Sequence, residues 1–414
     1  MKSIPGFTSV TENHDIPNGF VRGPLTWTCY WMLGYYAFLQ AVLGPLMPFI
    51  RSDLKLTYTL ASLHFSAFAL GAVVVGVVSD RPTRRWGRRA TFWGGGLGMA
   101  IGACLLIASP LVVGTILGAL VMGTCGNLLL VTLQATLSDG HGTWSAVAMV
   151  EANVVASGFA ILASVGTGAI TGLGIGWRLV IPPAILMLAL VAIRYRATTF
   201  PQPTADGKRA DTLAAPSSRL PLRFWMFWLV IALETGVEWC IGYWGASFLA
   251  THTQFHAADA ATAMGIFFLA MLIGRYGGSR LSRAFAGQIL LIVSLVVGLL
   301  AFPVFWLAPL APLRLIGLFA VGLGLANVYP LSVALAAREA PGQADQATAR
   351  LSIAGGLAVL LAPLGLGALA DALGIGHAFG VALPLLLLAL LAAAVVARMR
   401  TPDQSAAAPA VEAR

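Results

Sequence analysis

Apolar runs of roughly 20 residues recur along the chain from Pro24 almost to Arg398, separated by short stretches rich in charged and turn-forming residues. Each run is long enough to cross a hydrocarbon core of about 30 Å as a helix. The pattern predicts twelve transmembrane helices, over residues 24–50, 58–79, 90–109, 111–136, 145–172, 177–197, 222–250, 260–281, 287–307, 312–336, 347–371 and 374–398. The first run ends in PFIRSDL without a small-residue cleavage site, so it is read as a retained span and not as a signal peptide. The fold class expected is therefore an all-α membrane protein.

The longest clearly hydrophilic interruption, residues 194–223, lies between the sixth and seventh spans. It divides the chain into a six-helix bundle over 24–197, a linker over 198–221 and a second six-helix bundle over 222–398, with tails over 1–23 and 399–414. The halves echo each other. LGIGWR at 173–178 precedes the sixth span and LGIGHA at 373–378 the twelfth, while GVVSDR at 76–81 follows the second and GSRLSR at 278–283 the eighth. Parallel repeats of this kind mark one class of transporter fold.

Composition agrees: 58% of residues are hydrophobic and only 10% charged. A net charge of +9 would raise the question of nucleic acid, but the basic residues are placed otherwise. If the spans alternate, all but four of the 25 lie on one side, the exceptions being Arg51, Lys55, Arg178 and Arg314. By the positive-inside rule that side is cytoplasmic. The expectation is a multi-pass protein of the cell (inner or plasma) membrane with both termini cytoplasmic, partnered by the bilayer and not by nucleic acid, and monomeric. The four cysteines, Cys29, Cys104, Cys125 and Cys240, all lie in apolar runs with no CxxC spacing. They are read as free buried thiols, and neither a metal site nor a cofactor is expected.

The chain resembles the major facilitator superfamily. That family's loop signature between spans two and three has the form GxxxDRxGRR, and residues 76–89 read GVVSDRPTRRWGRR. Gly76, Asp80 and Arg81 begin it and Gly87, Arg88 and Arg89 end it, with four extra residues between, and the gating role of this loop follows from the resemblance. GVEWCIGYW at 236–244, IGRYGGSRLSR at 273–283 and GLGLANVYP at 322–330 are similar to spans seven, eight and ten of fucose-permease-like sugar transporters. Features usual in drug/proton antiporters are missing: Ala119 stands where span four would carry an arginine, and span five has no proline.

An ionised carboxylate is costly at the bilayer centre, so Glu234 and Glu238 in span seven must face a bundle interior or a wet cavity. Their i, i+4 spacing puts them on one helical face about 6 Å apart along the axis, where one is expected to keep a proton. The resemblance implies that spans one, four, seven and ten line a central cavity. The candidate solute ligands there are Tyr35, Tyr36 and Gln40; Asn127 and Gln134; Trp239, Tyr243 and Trp244; and Asn327 and Tyr329. The same side chains would serve as interhelical ties if turned away from the cavity. Glu151, at the start of span five, is either a gate paired with Arg275 of span eight or a further proton site. His64, alone among apolar neighbours, reads as a packing residue. Prolines 45, 48, 330 and 363 are expected to break or bend helices, and the glycines at 94, 95, 96 and 98 to let helices approach closely.

The reading that follows is a proton-coupled secondary transporter of a small polar solute, a sugar or an organic metabolite, working by alternating access. The alternative is an efflux pump exporting drugs or metabolites by proton antiport. An enzyme is not expected, since no HExxH, GxSxG or clustered His/Asp arrangement is present.

Overall fold

The computed structural model of the chain describes residues 20–78, 80–201, 220–340 and 343–399. Most of the tails and the linker read from the sequence, at 1–19, 202–219 and 400–414, lie outside them. Among the described residues the regular structure is helical throughout. In chain order the helices are α1 (Pro24–Ala41), α2 (Leu43–Leu54), α3 (Tyr58–Val78), α4 (Asp80–Trp86), α5 (Arg88–Ala108), α6 (Val112–His141), α7 (Ser145–Gly172) and α8 (Pro182–Tyr195). There follow α9 (Leu222–His252), α10 (Ala257–Leu281), α11 (Gly287–Leu307), α12 (Ala311–Leu325), α13 (Val328–Arg338), α14 (Ala344–Leu373), α15 (Ile375–Phe379) and α16 (Ala382–Arg398). Eleven helical runs among the described residues are long and apolar enough to cross a membrane, and one of these, Val112–Gly172, contains both α6 and α7 around a short 3-10 turn.

Three of the expected spans are split, each just before a proline. The α1/α2 break at Val42 precedes Pro45, the α12/α13 break precedes Pro330, and the α15/α16 break precedes Pro384. A proline supplies no N–H and crowds the carbonyl four residues back, so the helix gives way about one turn upstream. Pro48 and Pro363 are instead absorbed within α2 and α14. The Pro363 carbonyl accepts a hydrogen bond from Trp244 Nε1 at 3.0 Å.

Packing follows the small residues. Gly95, Gly96 and Gly98 of α5 touch α6 or α1, whereas a Cβ at Gly94 would meet nothing within 4 Å. Helices α1–α8 meet α9–α16 through α3 on α14, α7 on α10 and α2 on α9. These junctions concentrate at the end that carries Arg51, Lys55, Arg178 and Arg314, the arginine-poor end. There a Cβ on Gly44 would lie 2.1 Å from the Gly242 carbonyl oxygen, and one on Gly168 would lie 2.5 Å from that of Ala258.

Asp371 of α14 completes the seal by accepting the Tyr58 and Thr59 amides, at 2.7 and 2.8 Å, at the start of α3. A carboxylate on the first N–H groups of a helix satisfies orphan donors and complements the helix dipole. Asp371→Ala should cost about 1 kcal/mol, the usual worth of such a cap. Hydrogen exchange at the Tyr58 and Thr59 amides should then speed up roughly fivefold.

Candidate functional site

One cavity of about 260 Å³ lies between the two sets of helices. Tyr36 and Gln40 reach it from α1, Gln134 from α6, Asn153 and Ser157 from α7, Glu238, Trp239 and Tyr243 from α9, and Phe267, Phe268 and Arg275 from α10. The Gly44–Gly242 approach closes it toward the arginine-poor end, Gly44 of α2 lying one turn beyond Gln40 and Gly242 of α9 beside Tyr243. On the other side its wall residues Asn153 and Arg275 are exposed.

Helix α9 sets up the centre. Glu238 lies on the cavity wall with its side chain 19% exposed, while Glu234, one turn nearer the arginine-rich end, is fully buried. The two residues stand one helical turn apart on the same face of α9. Thr235 Oγ1 donates to Glu234 Oε2 at 3.5 Å, and Glu234 Oε1 has no donor. Arg275 Nη2 approaches Glu238 Oε1 at 3.9 Å and its side chain is 47% exposed. Tyr243 stacks on Phe65 with ring centroids 4.1 Å apart, and its buried hydroxyl is unpartnered.

Not every expected ligand reaches the cavity. Tyr35 turns into the bundle and its hydroxyl donates to the Gly96 carbonyl at 3.3 Å. Trp244 faces α3 and α14, wedged between Phe65, Tyr58 and the Pro363 carbonyl. Asn127 stands behind the wall, where it accepts the Tyr36 hydroxyl at 3.3 Å and fixes that ring. Asn327 spends its amide on the Gly274 carbonyl at 2.8 Å, tying the α12/α13 break to the residue before Arg275. Tyr329 is partly exposed on α13 but does not line the cavity. These departures have one cause: a span that is apolar on every side gives no sequence clue to which side faces the cavity.

Asn153, which the sequence marks with Glu151 as a polar site in span five, and Ser157, which it does not mark, are both wall residues. They form a polar i, i+4 pair on α7, and both donate to their own backbone four residues back, at 2.8 and 2.9 Å.

Glu151 does not meet Arg275. Arg22, just ahead of α1, takes it in a two-point contact of 2.8 and 2.5 Å, and the Tyr30 hydroxyl donates to it at 3.0 Å. The bonds to Glu151 hold the Arg22 proton more firmly than is usual for a guanidinium. The reason is geometric: α7 meets α10 near its far end, around Gly168, and leaves Glu151 beside α1.

In the loop motif the four extra residues fall within α4. Gly76 has open space around it, Gly87 takes a positive φ of 81° at the start of α5, and Arg81 is exposed. The Asp80 side chain lies outside the described residues. Arg88 pairs with Asp139 of α6 at 2.7 Å and reaches the Pro201 carbonyl, and Arg89 donates to the Arg196 carbonyl. The motif therefore straps α5 to α6 and to the chain leaving α8.

His64 is buried between the Ala61 carbonyl and the Thr115 hydroxyl, a satisfied packing residue. The cysteines are free, but Cys104 is exposed where a buried thiol was expected. No cluster of metal-ligating side chains occurs among the described residues.

Comparison with known proteins agrees with this architecture. Residues 29–344 match the family described as Major Facilitator Superfamily. An uncharacterized MFS-type transporter of Yersinia pestis is 25% identical over 370 residues, covering 86% of this chain and 92% of that one. Among solved structures, a D-xylose–proton symporter superposes with a TM-score of 0.74 at 12% identity, covering 91% of this chain and 98% of that one. A nucleoside transporter superposes with a TM-score of 0.73 at 14% identity, covering 91% and 100%. At such identities the likeness is one of fold.

Proposed function

Because the chain belongs to the Major Facilitator Superfamily, we propose that it is a proton-coupled secondary transporter of a small polar organic solute, caught here in an inward-facing state. The observation that carries this reading is the carboxyl pair on α9, of which Glu238 touches the cavity and Glu234 does not. A fully buried carboxylate with one oxygen lacking a donor is costly. One proton held between the two groups removes that cost and satisfies Glu234 Oε1. The pair is then a store that loads and unloads through Glu238 as the cavity changes sides.

Several features support the remainder. The Val112–Gly172 run of 61 residues is about 90 Å long at helical rise, far more than one crossing needs, so two crossings there bring the spans to twelve. These divide into six-helix bundles over 24–197 and 222–398. The arginine-rich end is cytoplasmic by the positive-inside rule, with both termini there and the protein in the plasma membrane. Alternating access would break the α2–α9, α3–α14 and α7–α10 contacts and close the arginine-rich end instead. The similarity of spans seven, eight and ten to fucose-permease-like transporters supports a sugar or an organic metabolite as cargo.

The test is transport in liposomes. With purified protein and an acid-outside gradient, a transported solute should accumulate inside, and the accumulation should collapse when a protonophore removes the gradient. Entry that is indifferent to the gradient would overturn proton coupling.

A further inference from the structure

Among the described residues, Arg275 is the one cationic side chain on the cavity wall. Its guanidinium has no hydrogen-bond partner among the described residues, and Glu238 at 3.9 Å is too far to be one. The other arginine–carboxylate pairs, with Arg22, Arg88, Arg178 and Arg223, close to 3.0 Å or less. An arginine fork offers five donors shaped for two oxygens of one carboxylate. Here that capacity is unused, in a cavity where water is partly excluded and charge interactions are strong.

Glu238 stands between Arg275 and Glu234 in charge terms, facing a cation at 3.9 Å and a second carboxyl one turn away on its own helix. The titratable groups around it are Glu234 and Tyr243 on α9, Arg275 on α10, Tyr36 from α1 and Tyr329 from α13, while α7 brings only the neutral Asn153 and Ser157. When Glu238 takes a proton, Arg275 is left as an uncompensated positive charge on the wall. The same wall carries Trp239 and Tyr243 on α9 and Phe267 and Phe268 on α10, rings that suit a flat apolar body. A cavity of about 260 Å³ falls just short of the roughly 300 Å³ at which drug-sized sites begin, so the ligand is small.

We propose that the cargo is a small organic carboxylate with a flat, partly apolar body, whose carboxylate binds Arg275 in the place that Glu238 occupies loosely and vacates on protonation. The proton taken up by Glu238 and the anion bound by Arg275 then enter together, with no net charge added to the cavity. This inference rests on the transporter reading for the identity of the site, but its test does not depend on a gradient.

The probes are matched pairs, benzoate with benzamide, nicotinate with nicotinamide, and 4-hydroxybenzoate with 4-hydroxybenzamide, followed by thermal shift of the full-length protein in detergent. Each ligand that binds the folded state raises the melting midpoint by mass action. The carboxylate of each pair should raise it and the amide should not. Glu238→Gln, which removes the internal competitor, should tighten carboxylate binding at neutral pH roughly tenfold, equivalent to about 1.4 kcal/mol. Arg275→Gln should abolish the shift, and Arg275→Lys should restore part of it. Equal shifts within pairs, no shift from any carboxylate, or weaker binding in Glu238→Gln would overturn the proposal, and these outcomes stand even if the Arg275 variants fail to fold. A shift of the same size from inorganic phosphate would overturn the need for an organic body. Selective carboxylate binding without gradient-driven uptake would refute proton coupling alone, whereas gradient-driven uptake of only neutral solutes would refute this inference alone.

Discussion

Glu238→Gln is expected to uncouple the protein: solute exchange across the membrane continues, but a pH gradient no longer drives accumulation. A pH difference of one unit stores about 1.4 kcal/mol per proton, which sustains about tenfold accumulation if one proton accompanies each solute. Wild-type protein in liposomes should approach that ratio and the variant should stay near equality. The physical cause is local. Glu238 is the member of the carboxyl pair that lies on the cavity wall, so it is the route by which Glu234, fully buried and one oxygen short of a donor, exchanges protons with water. Glutamine keeps the shape and cannot titrate. Glu234→Gln should do less to the equilibrium end point and more to stability. It offers an amide N–H to Glu238 in place of the proton, and it leaves its own second donor buried without a partner.

The second large effect belongs to Gly44. A Cβ there would stand 2.1 Å from the Gly242 carbonyl oxygen and 3.1 Å from the Tyr243 Cα. Both atoms are backbone, so no side chain can swing aside and α2 must move off α9. Gly44→Val should therefore cost about 1–3 kcal/mol of the closed arginine-poor seal, the range found for overpacked interiors. A Met47→Cys reporter in a cysteine-free background tests this directly. Met47 is fully buried at that end, and the reporter's thiol should react with an impermeant maleimide several-fold faster when Gly44→Val is also present. Because the same substitution weakens just one of the two end states, transport should fall even if the solute still binds.

How much of this was legible in the sequence follows from what a membrane does to residue patterns. The spans could be read because length and apolarity suffice, and the proline-induced breaks in α1/α2 and α12/α13 could be read because the missing N–H acts locally. Glu238 could be read because a carboxylate in an oily run has few tolerable surroundings. Rotation about each helix axis could not. Tyr35 and Tyr36 are adjacent and equally polar, yet one meets the Gly96 carbonyl and the other the cavity. Trp239 and Trp244 differ in the same way. In water the polar side of a helix would have marked its exposed face, whereas lipid and protein interior are both apolar. The partner of Glu151 was out of reach for another reason. Arg22 lies 129 residues away in sequence, outside any span, so no local pattern points from one to the other.

The central claim, that a carboxyl pair shared between cavity and interior ties solute movement to proton movement, is tested most directly by watching the protons. Proteoliposomes loaded with a pH-sensitive dye and given no initial gradient should acidify inside when a transported solute is added outside, and those carrying Glu238→Gln should not. Solute entry by the wild type without any change in internal pH, or equal acidification by the variant, would contradict the account.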